Sequence, residues 1–232
     1  MKTVFITGAT SKIGKELVQY FIVNEWKIIY HYCSSKRLET TYDHIDYVKC
    51  DFTNLVDVKE NVRHLFQRHD RIDLVINNAS MFPEDTEAEK ESILTANYLV
   101  PKFINELYAE YYKAGKIINF TDTRVFFENP DEKKKFYYES KLKLHQLTTE
   151  QALSFGENFL INAIAPGYVN ANDDVDRIKR FEAMPQRNIL KKTVTMSDIL
   201  LAVDLFVQST SITGQTIAVD GGEAIYRQHK ME

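Results

Sequence analysis

The sequence predicts a doubly wound α/β fold, one parallel sheet of about seven strands with helices on both faces. Three observations point there. Short apolar runs recur along the chain, helical stretches lie between them, and the first run ends in a glycine turn that opens into the first helix. In chain order, the runs near Thr3–Thr7, Lys27–His31, Tyr47–Cys50, Leu74–Asn77, Lys116–Phe120, Phe159–Ile164 and Thr216–Val219 read as strands. Helices fit Lys12–Asn24, Leu55–Arg68, Glu87–Lys113, Tyr137–Phe155 and Ser197–Gln208, the last opened by a Ser197–Asp198 capping signal. Strand and helix alternate almost throughout, as a sheet covered on both faces requires.

With 232 residues and 44% hydrophobic content, residues 1–232 are expected to form a single domain, because open α/β domains often exceed the usual size. No repeat, low-complexity tract or Pro/Gly-rich linker divides the chain. A formal charge of -4 gives no broad basic surface, which argues against nucleic acid or an anionic membrane as the main partner. Small molecules and copies of the chain itself are the expected partners. Cys33 and Cys50 lack metal-ligand spacing, so neither a disulfide framework nor a metal site is expected, and a reducing cytoplasm is the natural home. Val4-Phe5-Ile6 is too short for a signal peptide or a membrane span. The charge run Lys133–Lys135 reads as a solvated stretch before the Tyr137 helix.

The turn Thr7-Gly8-Ala9-Thr10-Ser11-Lys12-Ile13-Gly14 lies between the first strand and the first helix. Small residues there let backbone approach a pyrophosphate aimed at the helix N-terminus. After the second strand, NAD-preferring folds place an acid for the ribose hydroxyls, whereas this chain has His31-Tyr32-Cys33-Ser34-Ser35-Lys36-Arg37. Hydroxyls and cations suit a 2′-phosphate, so NADP(H) is the expected cofactor. Tyr137 and Lys141 are four apart on a helix and share a face. An ammonium there is expected to lower the phenol pKa, making Tyr137 a group that exchanges a proton.

The turn T-G-x-x-x-x-x-G, Asn77-Asn78-Ala79, Tyr137-x-x-x-Lys141, Pro166-Gly167 and Val219-Asp220-Gly221-Gly222 stand in one order and spacing. In that pattern the chain resembles the short-chain dehydrogenases/reductases, a Rossmann-type family, over nearly its whole length. The resemblance implies cofactor contacts from Gly8, Ser11, Lys12, Ile13 and Gly14, with Lys12 standing where the family usually has glycine. It further implies that Asp51-Phe52 borders the adenine, that Asn78-Ala79-Ser80 faces the ribose and nicotinamide, and that Pro166 and Gly167 also touch the cofactor. Asn97 falls where the family holds a proton-relay water, and Pro101 follows at a helix-kinking position. A homotetramer is implied as well.

Asp122 departs from the family, which usually carries a catalytic serine at the end of the fifth strand. Lys12, Asn78-Ala79-Ser80, Phe82, Asn119-Phe120-Thr121-Asp122 and the acidic pair Asp173-Asp174 together are similar to the pteridine reductases and bacterial dihydromonapterin reductases. That likeness implies hydride transfer from NADPH to a dihydropterin of the dihydromonapterin or dihydrofolate type. Phe82 would stack on the flat pterin, Ser80 would meet its polar edge, and Asp122 would accept from its nitrogens or share a proton with Tyr137. Tyr168 and Asp174 complete the substrate contacts implied. Two other readings stay open at this point, a general carbonyl reductase and an NADP(H)-binding sensor without turnover.

Overall fold

Among the described residues, seven strands form one sheet in the order β3-β2-β1-β4-β5-β6-β7, and every neighbouring pair is parallel. They are β1 (Thr3–Ile6), β2 (Lys27–Tyr32), β3 (Ile45–Lys49), β4 (Leu74–Asn77), β5 (Gly115–Phe120), β6 (Phe159–Pro166) and β7 (Thr216–Val219). The structure, a computed structural model, describes residues 1–34, 43–127, 132–169, 182 and 184–229.

Alternation along the strands decides which helices cover which face. Phe5, Ile29, Val75, Ile117 and Ile161 lie side by side in register and pack with α2 (Leu55–Arg68) and α4 (Val100–Tyr111) through Val62, Phe66, Ile104 and Tyr108. Val4, Ile6, Ile28, Tyr30, Ile76 and Ile118 face the other way. They pack with α1 (Lys12–Val23) and α6 (Met196–Gln208) through Leu17, Phe21, Val203 and Phe206. Apolar side chains are buried on both faces, so the strands read as continuous hydrophobic runs.

Four expectations needed correction. The third strand begins at Ile45, two residues before Tyr47, and ends at Lys49. The sixth helix opens on Thr195, whose hydroxyl accepts the Asp198 N–H while Asp198 accepts the Thr195 N–H, so the cap precedes Ser197. The long helix from Glu87 to Lys113 is broken into α3 (Lys90–Leu94), a π-helical turn Thr95–Leu99 and α4. In that turn the Val100 N–H reaches back to Thr95 O, and Pro101 has no N–H to give. Finally, a short helix α7 (Glu223–His229) follows the Gly221-Gly222 turn, where none was expected.

The remaining helix, α5 (Lys135–Phe155), packs beside β6. Strand order reverses between β1 and β4, so the loops leaving their C-terminal ends diverge and open a crevice. No helix among the described residues is long and apolar enough to cross a membrane.

Candidate active site

The glycine turn closes tightly against the end of β4. Gly8 adopts φ +63°, and a Cβ there would lie 2.7 Å from the Ala79 Cα. A Cβ on Gly14 would lie 2.2 Å from the Gly8 carbonyl oxygen. Asn78 ties the two segments together: its amide donates to Thr7 O and Gly8 O, both at 2.9 Å, and to Ser11 Oγ at 3.1 Å. Ser11 Oγ accepts the Gly14 N–H at 3.0 Å and so caps α1. The first turn of α1 carries no acid, and Lys12 and Ile13 line the crevice, so its N-terminus presents N–H groups and a cation there.

His31 does not face this crevice, contrary to expectation. It is buried, its Nδ1 accepts the Gly8 N–H at 3.0 Å, its Nε2 donates to Cys50 O at 2.9 Å, and its ring stacks on the buried Phe52 at 3.9 Å. The Gly8 N–H fixes the tautomer with the proton on Nε2. Burial pushes the pKa down to about 4 against the opposing pull of the Cys50 carbonyl and Asp51. His31 therefore braces the glycine turn from beneath. Tyr32 is half-buried at the end of β2, and Cys33 and Ser34 are exposed beyond it. Asp51 is exposed and its Oδ1 accepts both the N–H and the hydroxyl of Thr53 at 2.9 Å. Ser35, Lys36, Arg37, Asp173 and Asp174 lie outside the described residues.

At the end of β5 the chain turns into a short 3-10 segment, Thr123–Phe126, capped by Asp122, whose Oδ1 accepts the Arg124 N–H at 2.9 Å. The other oxygen, Oδ2, accepts the Tyr137 hydroxyl at 3.0 Å and Arg124 Nη1 at 3.4 Å. The first turn of α5 is held by Asp85, which accepts the Phe136 and Tyr137 N–H groups at 2.8 and 3.2 Å. One turn on, Lys141 Nζ donates to Phe120 O at 2.8 Å and lies 5.9 Å from the Tyr137 ring centroid.

These contacts reverse the expected shift of Tyr137. Its pKa is raised well above the ordinary 10, first by burial, then by the Asp122 charge, with Arg124 and Ser80 opposing. The phenol is therefore neutral at physiological pH. Lys141 is pushed down to about 8 by burial, which disfavours the ammonium, with the Asp122 charge opposing.

Asn97 lies at 0% exposure on the π-helical turn, with its side chain engaged throughout. Its Oδ1 accepts the Met81 N–H at 2.7 Å and the Ser80 hydroxyl at 3.3 Å, while Nδ2 donates to Met81 O at 2.9 Å and Ser140 Oγ at 3.1 Å. The side chain ties the Ser80–Met81 loop to α5.

One cavity is lined by Lys12, Ile13, Asn78, Ser80, Asp122, Tyr137, Lys141, Pro166, Gly167 and Tyr168, all singled out in the sequence, together with Thr121, Val169 and Met196. A second shares Asp122, Tyr137, Pro166, Gly167 and Tyr168 and runs outward past Phe82 to Arg124, Phe127, Arg187, Glu223 and Arg227. Phe82 stands 44% exposed with its ring edge-on to Tyr137 at 4.5 Å. The outer arginines were not foreseen, and only Arg124, two residues from Asp122, had a neighbouring signal. Lys134 also departs from the solvated run expected: its Nζ donates to Pro83 O and lies 4.4 Å from the Phe82 ring centroid.

The family model described as enoyl-(acyl carrier protein) reductase matches residues 8–223. Among curated relatives, the 3-oxoacyl-[acyl-carrier-protein] reductase FabG of Thermotoga maritima is 25% identical, covering 97% of this chain and 98% of its own. The dihydromonapterin reductase of Klebsiella pneumoniae is 26% identical, with 97% of both chains covered. Among solved structures, FolM alternative dihydrofolate reductase 1 of Brucella canis, complexed with NADP, superposes with a TM-score of 0.82 at 25% identity over 97% of this chain and 94% of that one. With that match and the parallel sheet, glycine turn and Tyr137–Lys141 pair already described, the chain belongs to the short-chain dehydrogenase/reductase family of oxidoreductases.

Proposed function

We propose that this chain, acting as one catalytic domain, reduces a dihydropterin to the tetrahydropterin with NADPH as the hydride source. The observation that carries the reading is the Tyr137–Asp122 hydrogen bond at the junction of the two cavities. A carboxylate there suits a substrate that presents N–H groups, and repels the oxyanion that develops when a ketone is reduced. Relatives of both kinds match at similar identity, so the argument rests on this residue and not on overall likeness.

The residues present fit the dinucleotide. Added bulk at Gly8 or Gly14 would strike the chain's own backbone, so both glycines keep the turn tight, while Lys12 and Ile13 at the α1 N-terminus line the crevice. Gly8, Ser11, Lys12, Ile13 and Gly14 would hold the phosphates, Tyr32, Cys33, Ser34, Asp51 and Phe52 the adenosine end, and Asn78, Ala79, Ser80, Pro166 and Gly167 the nicotinamide end. When bound, NADPH supplies the hydride.

The chain's own residues supply position and the proton. Reduction of a C=N bond needs one hydride at carbon and one proton at nitrogen, and the neutral Tyr137 hydroxyl, raised in pKa, holds that proton. Asp122 accepts from Tyr137 in the free protein and from pterin nitrogens when substrate is bound, so the two groups share the proton. Lys141 keeps positive charge beside the phenol and anchors it to β5 through Phe120 O. Asn97 acts as a positioning residue, joining the Ser80 loop to the helix that carries Tyr137. Phe82, with Lys134 over its ring, and Tyr168 line the outer cavity and would border the pterin ring. The homotetramer implied by the family resemblance would give exposed Leu153, Leu201 and Leu205 on α5 and α6 apolar surface to cover, and sedimentation would test it.

The deciding assay is steady-state oxidation of NADPH, and of NADH in parallel, with dihydromonapterin, dihydrobiopterin, dihydrofolate and a simple ketone. Turnover of a dihydropterin with preference for NADPH is expected. Turnover of the ketone alone would replace the reading with that of a carbonyl reductase.

A further inference from the structure

The outer cavity carries more positive charge than pterin chemistry asks for. Three guanidinium groups line it, Arg124 from the turn after β5, Arg187 from the 3-10 segment Met184–Arg187, and Arg227 from α7. Two acids face them, and both are engaged. Asp122 holds Tyr137 and Arg124, and Glu223 holds Arg227 through contacts at 2.9 and 3.1 Å. Arg187 forms no ion pair with any described residue, so among the described residues the cavity keeps one uncompensated cation, in a chain whose net charge is -4. Two of the guanidiniums also lie over rings, Arg227 at 4.4 Å from Phe127 and Arg124 at 5.9 Å from Phe82, which gives the cavity flat walls.

We infer that this outer cavity receives a carboxylate carried on a flat, extended arm of the substrate, with Arg187 as the residue that sets that preference. The inference rests on the pterin reading, which it narrows to pterins with an acidic arm. A guanidinium pairs with a carboxylate through two parallel N–H donors, whereas a neutral hydroxylated tail offers no charge to meet it. The flanking rings and stacked guanidiniums suit an aromatic segment between pterin and acid. Because Arg187 is exposed, its attraction is expected to weaken with salt.

The test is equilibrium binding to the NADP+-loaded protein of three probes: folate, which carries an aryl arm ending in carboxylates, biopterin, whose tail is neutral, and 4-aminobenzoylglutamate, which is the acidic arm alone. Wild type is expected to bind folate more tightly than biopterin. Arg187→Gln should lower that ratio about tenfold, the loss of a charge-assisted pair at an exposed site, and Arg187→Lys should retain part of it. Raised salt should narrow the wild-type ratio. A folate-to-biopterin ratio near one, a ratio that Arg187→Gln leaves unchanged, or failure of both acids to bind would each overturn the inference. Arg187-dependent binding of the acids without turnover of any dihydropterin would uphold the carboxylate site while removing the pterin reading.

Discussion

The Tyr137 hydroxyl donates to Asp122 Oδ2 across 3.0 Å, and this contact joins the end of β5 to the first turn of α5. It also sets the protonation of the pair, because a phenol buried against a carboxylate holds its proton. Tyr137→Phe removes the donor and keeps the ring. Turnover should fall roughly a hundred- to ten-thousand-fold, the range for a general acid, while NADPH affinity stays near that of wild type. Single-turnover rates and a cofactor titration check this, and wild-type turnover would assign the proton to another group.

Lys141 gives the expected pH dependence. Its pKa is pushed down to about 8, so the ammonium predominates below that pH and is lost as pH rises through it. Tyr137 is raised and contributes no limb in the same range. The kcat/KM profile should therefore fall above about pH 8, and Lys141→Met should lose that limb along with most of its activity.

His31 predicts a loss of stability in acid. Its pKa is lowered from 6.5 to about 4 in the folded chain, so above 6.5 both states are neutral, and below it the unfolded chain takes up a proton that the folded chain refuses. Stability is lost as pH falls from 6.5 toward 4, by about 3 kcal/mol across the whole window. Urea unfolding near neutrality and near about pH 4.5 should show a clearly smaller acid-dependent loss in His31→Gln than in wild type.

Much of the fold was legible because the central strands bury both faces and carry apolar runs, as in Val4-Phe5-Ile6 and Leu74-Val75-Ile76. Local periodicity gave no sign of the π-helical turn, since Thr95–Leu99 departs from α geometry by one hydrogen-bond register while its side chains still pack as a helix. In the crevice, Lys12, Asn78, Ser80, Asp122, Tyr137, Lys141 and Gly167 line one cavity, while Asp51, Phe52 and Phe82 do not. Side-chain direction was not legible. His31 follows its neighbours in sequence yet alternates inward under Gly8, and the Asn97 side chain bonds to Ser80, Met81 and Ser140. The charge environment of Tyr137 depends on Asp122, fifteen residues away, and on burial, so the spacing to Lys141 alone gave the wrong sign. Arg187 and Arg227 reach the outer cavity from segments far along the chain that carry no motif.

Asp122 offers the most direct test, because it separates a dihydropterin reductase from a carbonyl reductase at a single position. Asp122→Ser keeps a small side chain that can still accept from Tyr137 and removes the charge that pterin nitrogens would meet. The measurement is kcat/KM for a dihydropterin and a simple ketone, with NADPH, on wild type and Asp122→Ser. The account predicts that dihydropterin reduction falls at least about tenfold in the variant, that NADPH binding is retained, and that any gain appears with the ketone. Equal dihydropterin reduction by the two proteins, or a wild type that reduces only the ketone, would contradict it.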